Sequence, residues 1–279
     1  MKLCKFQSFS EYSLAGLANN SLWFSPLQSF NDPFEGRFSI DRAYSFKSKS
    51  DAEVFVNKAM EFFRGCANPD KFINAIEEKR NLDEKITTIL AFLLKVIVET
   101  SQELVQSEGY CCFCAGDDSL ANQLMWSHYS NGFRGLCLVF DEERLHESLN
   151  SLNDMDDLCF FPIDYRHGMP KLGLAHVIDY LANYSNHIEG LYEEFQVLQR
   201  TSKSHFWSYE KEIRAVSIRA GSHAYSDSSL KQVIVGEKMP LDFKRTLLRV
   251  LESKSEQPDV REAFVEEGNY NLSLRDVRA

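Results

Sequence analysis

The stretch YCCFCAGDDSLANQLMWSHYSNGFRGLCLVFD, Tyr110–Asp141, decides the predicted fold. Its two ends, YCCFCA and GLCLVF, have the apolar and aromatic composition of strands, and its middle, Ser119–Tyr129, has that of a helix. Segments of strand composition recur on both sides of it: KLCKF, SLWFS, LCFFPIDY, EIRAVSI, LKQVIVG and YNLSL. Because strands and helices do not alternate strictly, as they do in a doubly wound sheet, we predict an α+β fold with a central mixed or antiparallel sheet.

Helical spacing dominates between Lys49 and Gly109, where one long helix should run from about Asp83 to Ser107. We predict that residues 49–109 form a helical insertion or subdomain within a single domain spanning 1–279. An N-terminal helix should begin after Ser10, whose hydroxyl can cap it. Further helices are predicted near 142–149, 174–183, 188–202 and 241–253.

The composition disfavours several classes of protein. The net charge of −10 disfavours long-range attraction to nucleic acid. The most apolar stretch, Ile86–Val98, contains Lys95 and is too short to span a bilayer. The N-terminal KLCKFQSFSEY has no long apolar segment, and the seven cysteines are an odd number set mostly in apolar runs. We therefore expect a soluble, cytoplasmic protein with reduced cysteines and no membrane partner.

Metal-binding and nucleophile motifs are weak in this sequence. Cys112 and Cys114 would share one face of a strand, but no second pair with the usual spacing completes the four ligands of structural zinc. The Walker, GxGxxG and GxSxG motifs do not occur. We expect no metal site, and nothing supports a Ser-His-Asp hydrolase.

The stretch FWSYEKEIRAV, Phe206–Val216, concentrates charged groups at the start of a predicted strand. Glu210 and Glu212 are two positions apart, so both carboxylates should point to one side. Adjacent carboxylates repel and raise each other's pKa unless they are solvated or paired. The two glutamates are therefore either a solvated pair that bridges to Lys211 or Arg214, or part of a functional site.

Two further stretches allow both a structural and a functional interpretation. In MWSHYSNGFRG, His128 either satisfies a backbone carbonyl at a packed helix end or lies with Tyr129 at the mouth of a pocket. In FNDPFEG, the turn around Pro33 either is a structural corner or places Asp32 and Glu35 in the wall of a pocket.

Taken together, several segments carry a family resemblance. They are KFQSFSEY, LANNSLWFSPLQSFNDPFEG, the opening stretch, FFPIDYR and WSYEKEIRAVS, in that order. The chain resembles a bacterial family defined by a domain of unknown function, family twenty-nine seventy-one, whose motifs include Asn-Asp-Pro-Phe-Glu, Met-Trp-Ser-His-Tyr and Tyr-Glu-Lys-Glu-Trp-Arg. The resemblance covers most of the chain outside the helical segment. Gln7 and Ile213 stand where the family has Arg and Trp.

The segment order is also similar to that of ADP-ribosyltransferases, and this resemblance implies NAD as a substrate without a metal. It implies that Glu212 stabilises an oxocarbenium-like ribose through the 2′-OH, and that Glu210 orients the acceptor or takes its proton. Aromatic side chains of Trp23, Phe24, Trp126 and Tyr129 would surround the nicotinamide ring. The expected ligand-binding residues are Lys5, Ser25, Asn31, Asp32, Glu35, Trp126, His128, Tyr129, Tyr209 and Arg214.

The function implied is modification of a macromolecular acceptor, protein or nucleic acid, inside a bacterial cell. A toxin or a phage-defence effector fits this activity, with an antitoxin or another defence-system protein as partner. The alternative is a non-catalytic module that binds a nucleotide or a protein as the sensor of a defence system. A nuclease-like or deaminase-like enzyme is disfavoured by the missing metal-ligand set and by the net charge.

Overall fold

The computed structural model describes residues 1–153, 158–184 and 189–277. The chain divides into two compact units, one formed by 1–31, 107–165 and 203–279 and the other by 32–106 and 166–202. Whether the chain is a single domain spanning 1–279, with residues 49–109 as a helical insertion or subdomain, stays a prediction.

Strands and helices both contribute to the fold. The strands are β1 (Lys2–Gln7), β2 (Ser21–Phe24), β3 (Ser39–Asp41), β4 (Gly109–Ala115), β5 (Leu136–Asp141), β6 (Cys159–Pro162), β7 (Asp164–Arg166), β8 (Lys171–Gly173), β9 (Ser202–Ser204), β10 (Glu212–Ser217), β11 (Gly221–Ala224), β12 (Leu230–Gly236), β13 (Asp259–Val265) and β14 (Leu272–Asp276). The α-helices are α1 (Glu11–Ala18), α2 (Lys49–Arg64), α3 (Pro69–Glu77), α4 (Leu82–Ser107), α5 (Gln123–Tyr129), α6 (Glu142–Leu152), α7 (Leu174–Tyr184), α8 (Glu189–Thr201) and α9 (Leu241–Glu252).

The first unit is built on an eight-stranded sheet with the order β14-β13-β12-β5-β1-β4-β10-β6. The pair β12–β13 is parallel, and the other neighbouring pairs are antiparallel. The predicted α+β class with a central mixed sheet is therefore confirmed.

The ladders on the two sides of β1 differ in length. Six residue pairs join β1 to β5, from Lys2 to Gln7. Only two pairs join β1 to β4 in the described chain, Leu3 with Ala115 and Cys4 with Cys114. Beyond Cys4 the two central strands therefore separate, which leaves a split inside the sheet.

Both faces of the sheet are covered, which explains why the central strands are apolar at successive positions rather than at alternate ones. One face packs against α1, α6 and α9, and its buried residues include Leu3, Phe113, Leu138, Phe140, Leu145 and Leu247. The other face packs against α5, and its buried residues include Cys4, Phe6, Cys114, Met125, Trp126 and Val139.

The second unit is mainly helical and has its own core. Helix α2 buries residues at helical spacing, among them Phe55, Ala59 and Phe63. The ring of Phe63 stacks on that of Phe72 of α3, with centroids 4.9 Å apart. Strands β3 and β8 pair in parallel in this unit. Within the described ranges, none of the helices combines the length and the apolar character needed to cross a bilayer.

Several predicted elements differ from the observed ones. The predicted helix 119–129 is a 3-10 turn, Asp117–Ala121, followed by α5, because the Asn122 side chain caps a new helix by accepting from Leu124 and Met125 N–H. The sequence does not predict strand β13, because the first four residues of DVREAFV include three charged ones, Asp259, Arg261 and Glu262, and lack the apolar composition of the other strands. The predicted start of α8 at Ile188 lies outside the described residues.

Candidate functional site

A cavity of about 260 Å³ opens in the first unit, where β1 and β4 separate. Both strands contribute to its wall, together with the segment after β2. Its lining residues are Cys4, Lys5, Phe6, Trp23, Ser25, Ser29, Phe30, Asn31, Tyr110, Cys112, Phe113, Cys114, Met125, Tyr129, Lys203, Glu210 and Glu212.

The polar centre of the cavity is Lys203 with two glutamates. Its Nζ donates to Oε2 of Glu210 and to Oε2 of Glu212, at 2.7 Å each. Arg214 lies behind Glu212 and donates to its Oε1 from Nε at 2.9 Å and from Nη2 at 2.8 Å. Two buried anions thus face two buried cations, an arrangement that avoids the cost of an uncompensated charge.

The backbone explains how two nearby glutamates reach one lysine. Glu210 ends a 3-10 helix, His205–Glu210, and Glu212 begins β10. Lys211 between them has φ 46° and ψ 47°, the left-handed conformation that turns the chain. Its own side chain contacts Asp118 at 3.4 Å. The two glutamates therefore converge across a turn, and not along one strand as the sequence predicts.

Burial also corrects the interpretation of a solvated pair. Glu210 is 3% exposed and Glu212 is 4% exposed. The bridge to Arg214 is present, but the cation shared by both carboxylates is Lys203 and not Lys211.

The two carboxyl groups are shifted in opposite directions. Burial would raise the pKa of Glu212, but the adjacent charges of Arg214 and Lys203 outweigh it and lower the pKa to about 2. Burial raises the pKa of Glu210 above its usual value, because the attraction of Lys203 and the hydrogen bonds from Lys203 and Tyr129 do not compensate for the lost solvation. The Glu212 carboxylate is thus anionic at neutral pH, and the Glu210 carboxylate binds a proton more readily.

Two tyrosines connect helix α5 to the 3-10 helix that ends at Glu210. The hydroxyl of Tyr129 donates to Oε1 of Glu210 at 2.5 Å. Burial, followed by the hydrogen bond to Glu210, raises the pKa of Tyr129, so the phenol keeps its proton. Nδ1 of His128 lies 3.0 Å from the hydroxyl of Tyr209, and the carbonyl of Tyr209 accepts from Asn122 at 2.7 Å. His128 therefore contacts a phenol, where the structural interpretation expected a backbone carbonyl.

The structure brings together six of the residues expected from the sequence. Lining the cavity are Lys5, Ser25, Asn31, Tyr129, Glu210 and Glu212. The backbone of Ser25 is fixed by hydrogen bonds in both directions with Tyr110. Arg214 is fully buried, next to Glu212. His128 and Tyr209 form their own contact outside the cavity lining.

Trp126 lies in the core rather than in the cavity wall, and its role in ligand binding stays a prediction. It is fully buried, its indole N–H donates to the Leu120 carbonyl at 2.8 Å, and its ring stacks on Phe133. Phe24 is likewise fully buried in the core. Both rings contribute to packing and not to the cavity wall, whereas Trp23 and Tyr129 do line it.

Asp32 and Glu35 belong to the second unit. The Asp32 carboxylate accepts from the Phe34 N–H at 2.9 Å, and the backbone carbonyl of Asp32 accepts from the Glu35 N–H at 3.2 Å. These bonds build the turn of the FNDPFEG stretch, as is common for Asp before Pro. A ligand-binding role for either side chain stays a prediction.

Lys203 is the residue that sequence reasoning missed. It stands in TSKSHF, seven positions before Glu210, with no charged neighbour to mark it. The available signal was indirect, because two buried carboxylates require cations and Arg214 alone cannot supply both. In the ranges that the structure describes, no three His, Cys, Asp or Glu side chains are grouped to hold a metal ion.

Comparison with known proteins finds a partial match to one family and no activity. Residues 125–215 match the model of a family described as "Protein of unknown function (DUF2971)". The match confirms the family resemblance carried by the MWSHY and YEKEIR motifs. It includes Tyr129, Lys203, Glu210, Glu212 and Arg214 and leaves out β1. No curated protein and no solved structure matches the chain.

Proposed function

We propose that the protein is an ADP-ribosyltransferase-like enzyme that binds NAD in the cavity and modifies a macromolecular acceptor in the bacterial cytoplasm. The observation that carries the proposal is the opposite pKa shifts of Glu210 and Glu212, which share Lys203 in one cavity wall. Pairs of carboxyl groups whose environments separate their pKa values are typical of sites that divide an acid–base task from an electrostatic one.

The roles follow from the two environments. Glu212 is anionic at neutral pH, so it would stabilise the positive charge that develops on the ribose as the bond from C1′ to nicotinamide breaks. The bond electrons leave with nicotinamide, which departs neutral. An acceptor nucleophile then forms the new bond to C1′, and Glu210, the more basic carboxylate, would take its proton.

The size of the cavity limits what it would enclose. Pockets that enclose a drug-sized ligand measure roughly 300–1,000 Å³, and this cavity measures about 260 Å³. It would therefore hold the nicotinamide and ribose end of NAD rather than the whole molecule. Trp23, Phe30, Tyr110 and Tyr129 supply aromatic surface for the nicotinamide ring.

We also propose the class of acceptor and the biological partners. Transfer to a protein or a nucleic acid would serve a toxin or a phage-defence effector, held in check by an antitoxin or another defence-system protein. Because the net charge is −10, an acceptor nucleic acid would have to be bound locally rather than attracted over a distance.

A second candidate is a non-catalytic module that senses a nucleotide or a protein. One observation favours it. All four carboxylate oxygens already accept from a donor: those of Glu210 from Tyr129 and Lys203, and those of Glu212 from Arg214 and Lys203. In this reading the network stabilises a binding cavity and performs no chemistry.

The test uses NAD labelled separately in its nicotinamide and adenylate parts, incubated with the purified protein and a bacterial lysate. Nicotinamide release with adenylate label retained on protein or nucleic acid supports the transferase. Glu212→Gln should lower the release rate by about 10²–10³. The matched control is Glu262→Gln. Glu262 lies on β13, outside the cavity, and its buried carboxylate pairs with Lys244 and Arg275. Binding of NAD without release by the folded wild type would favour the sensor.

A further inference from the structure

A second cavity, of about 720 Å³, lies in the same unit. Its wall is built from α1, the end of β1 and β2, with Gln7, Tyr12, Asn19 and Ser21 among its lining residues. It shares two of its lining residues, Lys5 and Trp23, with the smaller cavity. The two cavities are therefore neighbours with a common wall.

The two cavities offer different chemistry. The smaller one presents the buried glutamates and Lys203. The larger one, as far as the described residues define it, is lined by hydroxyl, amide, aromatic and aliphatic side chains, and Lys5 is the charged residue among them. Neutral hydrogen-bonding groups beside exposed aromatic rings suit a base with its ribose. The rings are those of Tyr12, 81% exposed, and Trp23, 63% exposed.

Lys5 is the cation between them. Its Nζ donates to the Cys112 carbonyl at 3.3 Å, across the split between β1 and β4, and lies 5.5 Å from the centroid of the Phe113 ring. Within the described chain, its ammonium makes no ion pair with a carboxylate, unlike Lys203. A half-buried ammonium without a counter-ion, facing two cavities, is suited to an anionic group that joins two parts of one ligand.

We propose that the two cavities form one bipartite site for a ligand with two ring-bearing ends joined by a pyrophosphate. The pyrophosphate pairs with Lys5, the ribose next to it enters the smaller cavity, and the nucleoside end occupies the larger cavity against Tyr12 and Trp23. This inference rests on the proposed function, because it assigns the remainder of NAD to a place that the small cavity cannot supply.

The experiment is calorimetric titration with adenosine, AMP and ADP-ribose, none of which carries the nicotinamide group that the reaction cleaves off. ADP-ribose should bind wild type at least about tenfold more tightly than adenosine, because charge-assisted contacts to Lys5 are added. Lys5→Gln should remove that difference while leaving adenosine binding unchanged. The matched control is Lys2→Gln on the same strand, whose side chain lines neither cavity.

A second variant tests the larger cavity. Ala15 is an exposed position of α1 that lines it, so Ala15→Tyr fills the space at little cost to the fold. We expect adenosine, AMP and ADP-ribose all to bind at least about tenfold more weakly. Equal binding by wild type and Ala15→Tyr, a Lys5→Gln variant with unchanged ADP-ribose affinity, or a folded wild type that binds none of the three would overturn the bipartite site.

Nicotinamide release tests the transferase, and ligand binding tests the bipartite site, so the two measurements separate the two proposals. If nicotinamide release is absent but ADP-ribose binds more tightly than adenosine and Lys5→Gln removes that difference, the bipartite site stands and the transferase does not. If nicotinamide is released and Ala15→Tyr leaves the KM for NAD unchanged, the transferase stands and the larger cavity is not its second subsite.

Discussion

Tyr129 places its hydroxyl 2.5 Å from Oε1 of Glu210, although 81 positions separate the two residues in the sequence. This hydrogen bond connects the MWSHY helix to the YEKE turn, so the two motifs of the matched family segment are parts of one site. The pKa of Glu210 therefore depends on a residue of α5, because the hydrogen bond from Tyr129 lowers it.

We expect Tyr129→Phe to destabilise the protein by about 1–3 kcal/mol, because a buried carboxylate loses a donor. The hydrogen bond lowers the pKa of Glu210, so its loss should raise that pKa further. If nicotinamide release occurs, the acid limb of its pH profile should move to higher pH. Urea unfolding measures the first effect and the pH profile the second. An unchanged profile in a destabilised variant would mean that Tyr129 only supports the fold.

Removal of Lys203 should be costly. Lys203→Met leaves Glu210 without a cation and Glu212 with Arg214 alone, and breaking a buried ion pair costs about 3–5 kcal/mol. The matched control is Lys95→Met, which breaks an exposed pair with Glu99 and should change the free energy of unfolding by less than about 0.5 kcal/mol. Similar urea midpoints for the two variants would contradict the role given to Lys203.

The two glutamates should give opposite pH dependences of stability. The folded pKa of Glu212, about 2, lies below its usual value of 4.5, so its contribution is present above pH 4.5 and is lost as the pH falls toward 2. That contribution is about 3 kcal/mol. The folded pKa of Glu210 is raised, so protonation of Glu210 favours the folded state, and this stabilisation is lost as the pH rises through its folded pKa.

Glu212→Gln should therefore flatten the loss of stability between pH 4.5 and 2, compared with wild type. Glu210→Gln should leave that loss in place and flatten the pH dependence just above 4.5 instead. Urea unfolding at a series of pH values separates the two. If Glu212→Gln loses stability toward low pH as steeply as wild type, the ion pairs of Glu212 do not stabilise the folded protein.

The turn at Lys211 gives a prediction about the backbone. A residue with a Cβ pays roughly 1–2 kcal/mol for the left-handed conformation, which glycine adopts freely. Lys211→Gly should therefore be more stable than Lys211→Ala by about 1 kcal/mol, the reverse of the usual order for these residues. Both variants lose the exposed contact with Asp118, so their difference in urea midpoint reports the backbone alone. A more stable alanine variant would count against a strained turn.

The sequence predicts the sheet better than it predicts the site. Strands such as GLCLVF are recognisable because both of their faces are buried, and their composition alone carries the signal. Lys203 is not recognisable, because its partners are defined by a turn at Lys211 whose conformation no residue type announces. The MWSHY motif does not indicate whether Trp126 faces the core or a ligand, and in the structure its side chain is fully buried. Burial is a property of the tertiary structure, and it decides the role of such residues.

The short ladder between β1 and β4, with its two residue pairs, has a mechanical consequence. Five strands, from β14 to β1, are joined to three, β4, β10 and β6, by the paired residues Leu3–Ala115 and Cys4–Cys114. Because so few hydrogen-bonded pairs join these two parts of the sheet, any twisting or bending force on the sheet is concentrated at those pairs. A pulling force applied across the sheet would therefore part it first between Cys4 and Cys114, well before the six-residue joints on either side yield.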